Sequence, residues 1–191
     1  MALRVYLAGP EVFLPTARAL GEEKKRIAAE HGFEGVFPLD NEIPDVASRA
    51  LEAMARAISH GNEALMRSCD LLIANCTPFR GVSMDAGTAF EIGFMRALGR
   101  PVLGYSNVAA EHAARVRAVP AHAQAAWDAE TRGADIEDFG LAENLMIAIA
   151  VLDAGGRFIA RDVDPDRVLS DLRGFRDCLA LGRRVLGVAN S

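Results

Sequence analysis

A chain of 191 residues with 51% hydrophobic and 25% charged side chains can bury a full core and is patterned as a soluble globular protein, not a disordered one. Its net charge of -5, with no basic cluster, argues against a surface built to neutralise nucleic-acid phosphates. Three cysteines (Cys69, Cys76, Cys178) without a C-x-x-C pair, and four scattered histidines, suggest neither a disulfide framework nor a metal site.

The opening apolar run, residues 3–8 (LRVYLA), predicts a strand that Gly9-Pro10 ends, since proline cannot donate to a ladder and glycine permits a turn. A charged helix is expected from Thr16 to about His31, a short strand near 35–37, and then the turn segment PLDNEIPD. Residues 46–68 read as a long helix with Ala50, Met54, Ala57 and Ile58 at helical spacing. DLLIAN (70–75) is a second apolar strand, TPFRGVSMD the loop after it, and 86–99 a helix ended by Gly99-Arg100-Pro101. PVLGY (101–105) is another strand and 106–138 an irregular, Ala-rich stretch, long enough to suggest a lid or binding loop. A helix over 141–153, a short edge strand over 156–160 and a polar helix over 165–184 complete one domain spanning 1–191.

Strands alternating with helices imply an α/β fold, a mostly parallel sheet covered on both faces. Such sheets bind ligands beyond the carboxyl ends of their strands, which singles out the loops after 3–8, 35–37 and 70–75. No run is long enough to span a bilayer, and the N-terminus lacks the charged and long apolar regions of a signal peptide. The expected location is the cytoplasm, with no membrane partner.

The strongest local signal is PFRGVSMDAGTAFEIGFMRALG (78–99). Glu91 stands at the end of an apolar stripe formed by Phe94, Met95 and Leu98, flanked by Gly87 and Gly93. A carboxylate so placed needs a partner or a task. Two readings stand. Thr88-x-x-Glu91 fits a helix capping box, in which Glu91 reaches back to the Thr88 amide and does no chemistry. Alternatively Glu91 faces a ligand. Asp85, six residues earlier, is either a turn or cap residue or a group that bonds a sugar hydroxyl. Asp70 opens its strand as a solvated terminus would. Tyr6 is a core residue whose hydroxyl, if buried, would suit a carboxylate. Phe13 is a core anchor or a surface for a base to stack on. Gly9-Pro10-Glu11 is not a dinucleotide fingerprint, and no P-loop lysine or Gly-x-Ser-x-Gly elbow is present. Carboxylate chemistry on a neutral ligand remains.

Five stretches, in order, resemble the nucleoside 2-deoxyribosyltransferase family: VYLAGPEVFLP, PLDNE, CDLLIANCTPFRG, the run Asp85 to Gly93, and DFGLAENLMI (138–147). The resemblance implies a flavodoxin-like open sheet of five parallel strands. It also implies a homo-oligomer, at least a dimer, with shared sites, acting on a 2'-deoxynucleoside and a free nucleobase without a cofactor. Carried over by position, Glu91 matches the nucleophile, Tyr6 the residue that positions it, and Asp70 the acid that handles the base. Asp85 matches the carboxylate that holds the 5'-hydroxyl. Gly9 and Phe13 lie where the family binds substrate, Phe13 near the base. Asn144, with Met146 beside it, matches the segment lent to a neighbouring subunit. Glu42 departs from the glutamine of some relatives. As an acceptor only, it suits an exocyclic amine.

The chemistry expected from that resemblance is attack of Glu91 on C1', a covalent glycosyl-enzyme, and capture by a second base or by water. Two other readings stay open within the same fold. One is a 2'-deoxynucleoside 5'-phosphate N-hydrolase, which the negative charge of Asp85 disfavours, while Arg80 in the same loop could pair with a phosphate or with Asp85. The other is a nucleoside-binding module that lost the reaction.

Overall fold

The computed structural model describes residues 2–43, 50–124, 129–155 and 157–187, and its central strands LLIAN and VLGYS, rich in apolar and small residues, are buried at every position, on both faces. β1 (Leu3–Ala8), β2 (Phe33–Val36), β3 (Leu71–Asn75), β4 (Val102–Ser106) and β5 (Ile159–Ala160) form one sheet in the order β2-β1-β3-β4-β5. Every pairing is parallel. Five parallel strands in this flavodoxin-like order match the sheet that the family resemblance implies.

The two-residue period of the strands sorts the core into two layers. Val5 and Leu7 of β1, with Leu71, Ile73, Leu103 and Tyr105, face α1 (Ala17–Glu30) and α8 (Arg173–Val185) through Ile27, Phe175 and Leu179. Tyr6 and Ala8, with Leu72, Ala74 and Val102, face α2 (Leu51–Arg67), α3 (Ala86–Ala97) and α7 (Leu145–Gly155) through Met66, Ile92, Met95 and Val151. Tyr6 therefore points at α3 because it is out of phase with Val5 and Leu7. β1 lies between β2 and β3, so the chain leaves it at the point where strand order reverses, and a crevice opens at the carboxyl edge there.

Several boundaries differ from the sequence reading. The helix expected over 46–68 is α2, and residues 46–49 lie outside the described residues. The helix expected from 141 begins at Leu145, because the four residues before it are bound into a loop network. The stretch 106–138 holds the short helices α4 (His112–Arg117), α5 (Ala121–Gln124) and α6 (Ala129–Gly133), with 125–128 outside the described residues. The polar helix expected over 165–184 divides into a 3-10 turn, Pro165–Arg167, and α8. Asp171 sits between them, taking the Arg173 amide and side chain on its carboxylate. The edge strand expected over 156–160 is reduced to β5, with residue 156 outside the described residues. Among the described residues no helix is long and apolar enough to cross a membrane.

Candidate active site

α3 starts where β3 and its loop deliver the chain to the carboxyl edge. Its N-cap is Asp85, whose Oδ2 accepts the Thr88 amide at 2.9 Å and the Thr88 hydroxyl at 3.2 Å. This decides between the two readings of Glu91. Thr88 is not the cap, so Glu91 has no capping box to close. Thr88, Ile92 and Met95 bury one face of α3 against the sheet. Glu91, one position from Ile92, is brought to the edge of that face, where the Tyr6 hydroxyl donates to its Oε1 at 2.7 Å.

Leaving water is costly for that carboxylate. Burial pushes the Glu91 carboxyl up from 4.5 to about 7, and the nearby charges of Asp85 and Glu11 add to the rise, while the Tyr6 bond and the Lys24 ammonium oppose it. Tyr6 is fully buried, and desolvation and the neighbouring carboxylate hold its hydroxyl protonated far above its usual range. Tyr6 is thus a fixed donor, not an acid or base at neutral pH.

Glu91 opens into a cavity of about 270 Å³ whose walls come from four segments. The turn after β1 gives Gly9, Val12 and Phe13; the turn after β2 gives Pro38 and Leu39; α2 gives Ile58 and Asn62; α3 gives Asp85, Gly87, Thr88 and Glu91. Larger hollows exist, including an apolar groove of about 610 Å³ between α3 and α7 and an open cleft of about 750 Å³ beside α2. The small cavity is the chemical one because it alone of these joins two carboxylates to an aromatic wall. Phe13 is 52% exposed, stacks on Phe79 at 5.5 Å, and lies under the Arg80 guanidinium, 5.2 Å from its ring. Arg80 takes a left-handed backbone, φ 56°, and lies 4.7 Å over Phe79 as well. Thus Arg80 stacks on rings and Asp85 bonds Thr88; the two do not pair with each other.

Five residues singled out in the sequence meet here: Tyr6, Gly9, Phe13, Asp85 and Glu91. Asp70 does not. It stands at the amino end of β3, where its carboxylate accepts the Arg4 amide at 2.8 Å and faces Arg100 at 3.8 Å. The parallel register that sets Val5 beside Leu71 puts Asp70 at the edge of the sheet opposite the cavity, so the role of acid to the base is withdrawn from it. Glu42 lines the open cleft next door, which shares Leu39 and Ile58 with the cavity, and so is not in contact with the same space as Glu91. Asn144 and Met146 also lie outside it. The Asn144 amide nitrogen donates to Glu137 at 2.8 Å, and Met146 is 75% exposed on the wall of the apolar groove.

Two participants escaped the sequence reading. Asn62 is one helical turn beyond Ile58 on α2, and its Oδ1 is buried without a hydrogen-bond partner among the described residues. The stripe Met54, Ile58, Asn62 carries the signal, an amide interrupting an apolar i, i+4 series. Glu11 is the other. It is wholly buried with Lys24 at 2.8 Å, and the same oxygen accepts Asn75 at 3.1 Å and Tyr105 at 3.2 Å. This cluster holds the turn that carries Gly9 and Phe13. A side chain at Gly9 would meet the Glu11 carboxylate at 1.9 Å, which is why glycine is needed there. Among the described residues no group of His, Cys, Asp and Glu is arranged to hold a metal.

Comparison with known proteins bears on the family and the fold. The uncharacterized protein C191.05c of Schizosaccharomyces pombe (strain 972 / ATCC 24843) is 37% identical over 116 residues, which cover 59% of this chain and 54% of that protein. The chain therefore spans about half the length of the curated relative it matches. A solved 2-desoxiribosyltransferase from Leishmania mexicana is similar at 27% identity and a TM-score of 0.53, over 76% of this chain and 85% of that one. The family model for nucleoside 2-deoxyribosyltransferase matches residues 5–146, from the strand that carries Tyr6 to the segment that carries Asn144 and Met146. The chain belongs to the nucleoside 2-deoxyribosyltransferase family.

Proposed function

We infer that this protein cleaves the N-glycosidic bond of a 2'-deoxynucleoside and transfers the deoxyribosyl group to another nucleobase, with Glu91 as nucleophile. The observation that carries this reading is the Glu91 carboxylate itself, held by the Tyr6 hydroxyl at 2.7 Å inside a small cavity and free of any capping duty. A Glu91 oxygen attacks C1' as positive charge develops there, the C1'–N bond breaks, and its electron pair leaves with the base. The departing base takes its proton from water, since Asp70 is remote and Asn62 cannot supply one. A nitrogen of the second base then attacks C1' from the opposite face, gives its proton to the hydroxide left by the first step, and expels the Glu91 carboxylate. Attack by water in that step gives hydrolysis.

Phe13 offers the base a ring face, and Asn62 Oδ1 offers an acceptor for a base N–H. Asp85 uses Oδ2 for the helix cap, leaving Oδ1 to accept a 5'-hydroxyl. Asn144 and Met146 act on the cavity of a neighbouring copy in a homo-oligomer of at least two chains. The exposed Met146, Ile149 and the apolar groove between α3 and α7 supply a surface for that contact.

One observation favours the N-hydrolase as a second reading: Arg80, beside Phe13, is engaged by rings and not by Asp85, so a substrate 5'-phosphate would find a cation there. One experiment separates the readings. The protein is incubated with 2'-deoxyadenosine or 2'-deoxycytidine, with and without a different free base, and in parallel with the 5'-monophosphates; Glu91→Ala is the control. New deoxynucleoside that needs the acceptor base and disappears in the variant is the expected result. Base released from monophosphates alone would transfer the assignment to the N-hydrolase. Tight binding without turnover of any of these would leave a binding module.

A further inference from the structure

Glu143 is fully buried, lies outside the cavity, and has no part in the reaction as derived above. Its two oxygens are nevertheless saturated. Oε1 accepts the Met84 amide at 2.8 Å and the Arg115 guanidinium at 3.1 Å. Oε2 accepts the Ser83 hydroxyl at 2.8 Å and the Asn144 amide at 2.8 Å, and His112 Nδ1 stands 3.3 Å away without hydrogen-bond geometry. Arg115 closes the ring of contacts by donating to the carbonyls of Val82 at 2.7 Å, Ala110 at 2.6 Å and Ala142 at 2.9 Å. One carboxylate thus joins the two residues that precede Asp85 to the residue that begins the Asn144 segment. Buried charge-assisted bonds of this kind are short, directional and stiff, and their loss strands the partner charge.

We propose that Glu143 is a positioning residue that fixes the Asp85 loop and the Asn144 segment as one unit and thereby sets selectivity for the 5'-hydroxyl of the substrate. The selectivity part rests on the role given to Asp85 above. Among the described residues the Asp85 carboxylate accepts hydrogen bonds from Thr88 alone, one helical turn on. The two residues that lead into Asp85 both end on Glu143, Ser83 through its hydroxyl and Met84 through its backbone amide, so Glu143 bears on how Asp85 approaches the cavity. A glutamine in its place would present an amide nitrogen to donors on one side and lose the charge that Arg115 faces. The loop and the segment would then relax together.

The test uses the full chain and two readouts. The first is the ratio of kcat/KM for a 2'-deoxynucleoside to that for its 2',5'-dideoxy analogue, in wild type, Glu143→Gln, Asp85→Ala and the double variant. The expected result is a ratio that falls ~10-fold in Glu143→Gln, toward that of Asp85→Ala, with no further fall in the double variant. A merely structural role lowers both rates equally and leaves the ratio unchanged, which would overturn the selectivity part. The second readout is amide hydrogen exchange at Met84 and Asn144. Exchange should quicken by ~10-fold or more at both amides in Glu143→Gln. Loosening of one without the other would overturn the single-unit claim. Should Glu143→Gln fail to fold, Ser83→Ala removes one bond, keeps both charges, and should move both readouts the same way by less. Both amides loosening together in Glu143→Gln, with a wild type that turns over neither substrate, would leave the unit standing and remove the reading of Glu91 and Asp85.

Discussion

Glu91→Gln should make the protein more stable, and by an amount that depends on pH. Burial is the main reason the Glu91 carboxyl is moved from 4.5 to about 7. Such a displacement corresponds to about 3 kcal/mol of preference for the protonated form in the folded state. Below pH 4.5 the group is neutral in folded and unfolded chains alike, and its contribution is fully kept. As pH rises through the window from 4.5 to about 7, the unfolded chain releases the proton first, so stability is lost progressively; above 7 the loss is complete. Glutamine has no proton to lose, and its carbonyl oxygen can still accept from Tyr6. The gap between variant and wild type should therefore be under ~1 kcal/mol at pH 5 and about 3 kcal/mol at pH 8. For a chain of this length that is a rise of roughly 6–12 °C in Tm at pH 8. Thermal unfolding followed by circular dichroism at pH 5, 6, 7 and 8 measures it, and the same variant should be inactive. A gap that does not change with pH, or a variant less stable than wild type at pH 8, would refute the claim that this carboxylate is held ionised at the expense of folding.

The same displacement predicts that kcat/KM rises about tenfold per pH unit below pH 7 and levels above it, because the free enzyme's nucleophile must be ionised; a limb near 4.5 would mean that the cavity does not desolvate Glu91. Tyr6→Phe removes the bond that favours the ionised form, so that limb should move up by about one pH unit and kcat should fall, as read from the same profiles. Asp70→Asn should cost ~1 kcal/mol or less in urea unfolding and leave kcat/KM within about twofold, since the residue caps the far edge of the sheet; a fall of tenfold or more would restore it to the chemistry. Gly9→Ala drives a methyl into the Glu11 carboxylate and should destabilise by ~2 kcal/mol or more, with a raised KM as the turn carrying Phe13 shifts.

The fold was legible because parallel strands covered on both faces leave a plain mark, such as LLIAN and VLGYS, every residue of which is buried. The cavity was legible wherever its residues follow a strand end directly, as Gly9 and Phe13 do, or open the helix after one, as Asp85 and Glu91 do. Asp70 shows where that logic stops. It is one residue from the same strand, yet at its start, and in a parallel sheet the two ends of a strand belong to different surfaces. Sequence proximity to DLLIAN could not say which end faces the ligand; the direction of β3 does. Asn62 shows the converse. Its helix precedes β3 by sequence and would be placed on a face of the sheet, but α2 also contributes Ile58 and Asn62 to the wall of the cavity that Glu91 lines. Glu11, Lys24 and Glu143 were hidden for a further reason. A buried charge is invisible in hydrophobic periodicity, since its burial is made tolerable by partners up to 94 residues away, as Tyr105 is from Glu11. With the exception of Asn62, the residues that touch substrate in the proposed reaction are thus announced by local motifs, while those that hold them in place are assembled from distant segments. Substitutions at the second kind should leave the chemistry of Glu91 intact and change how well the ligand is held.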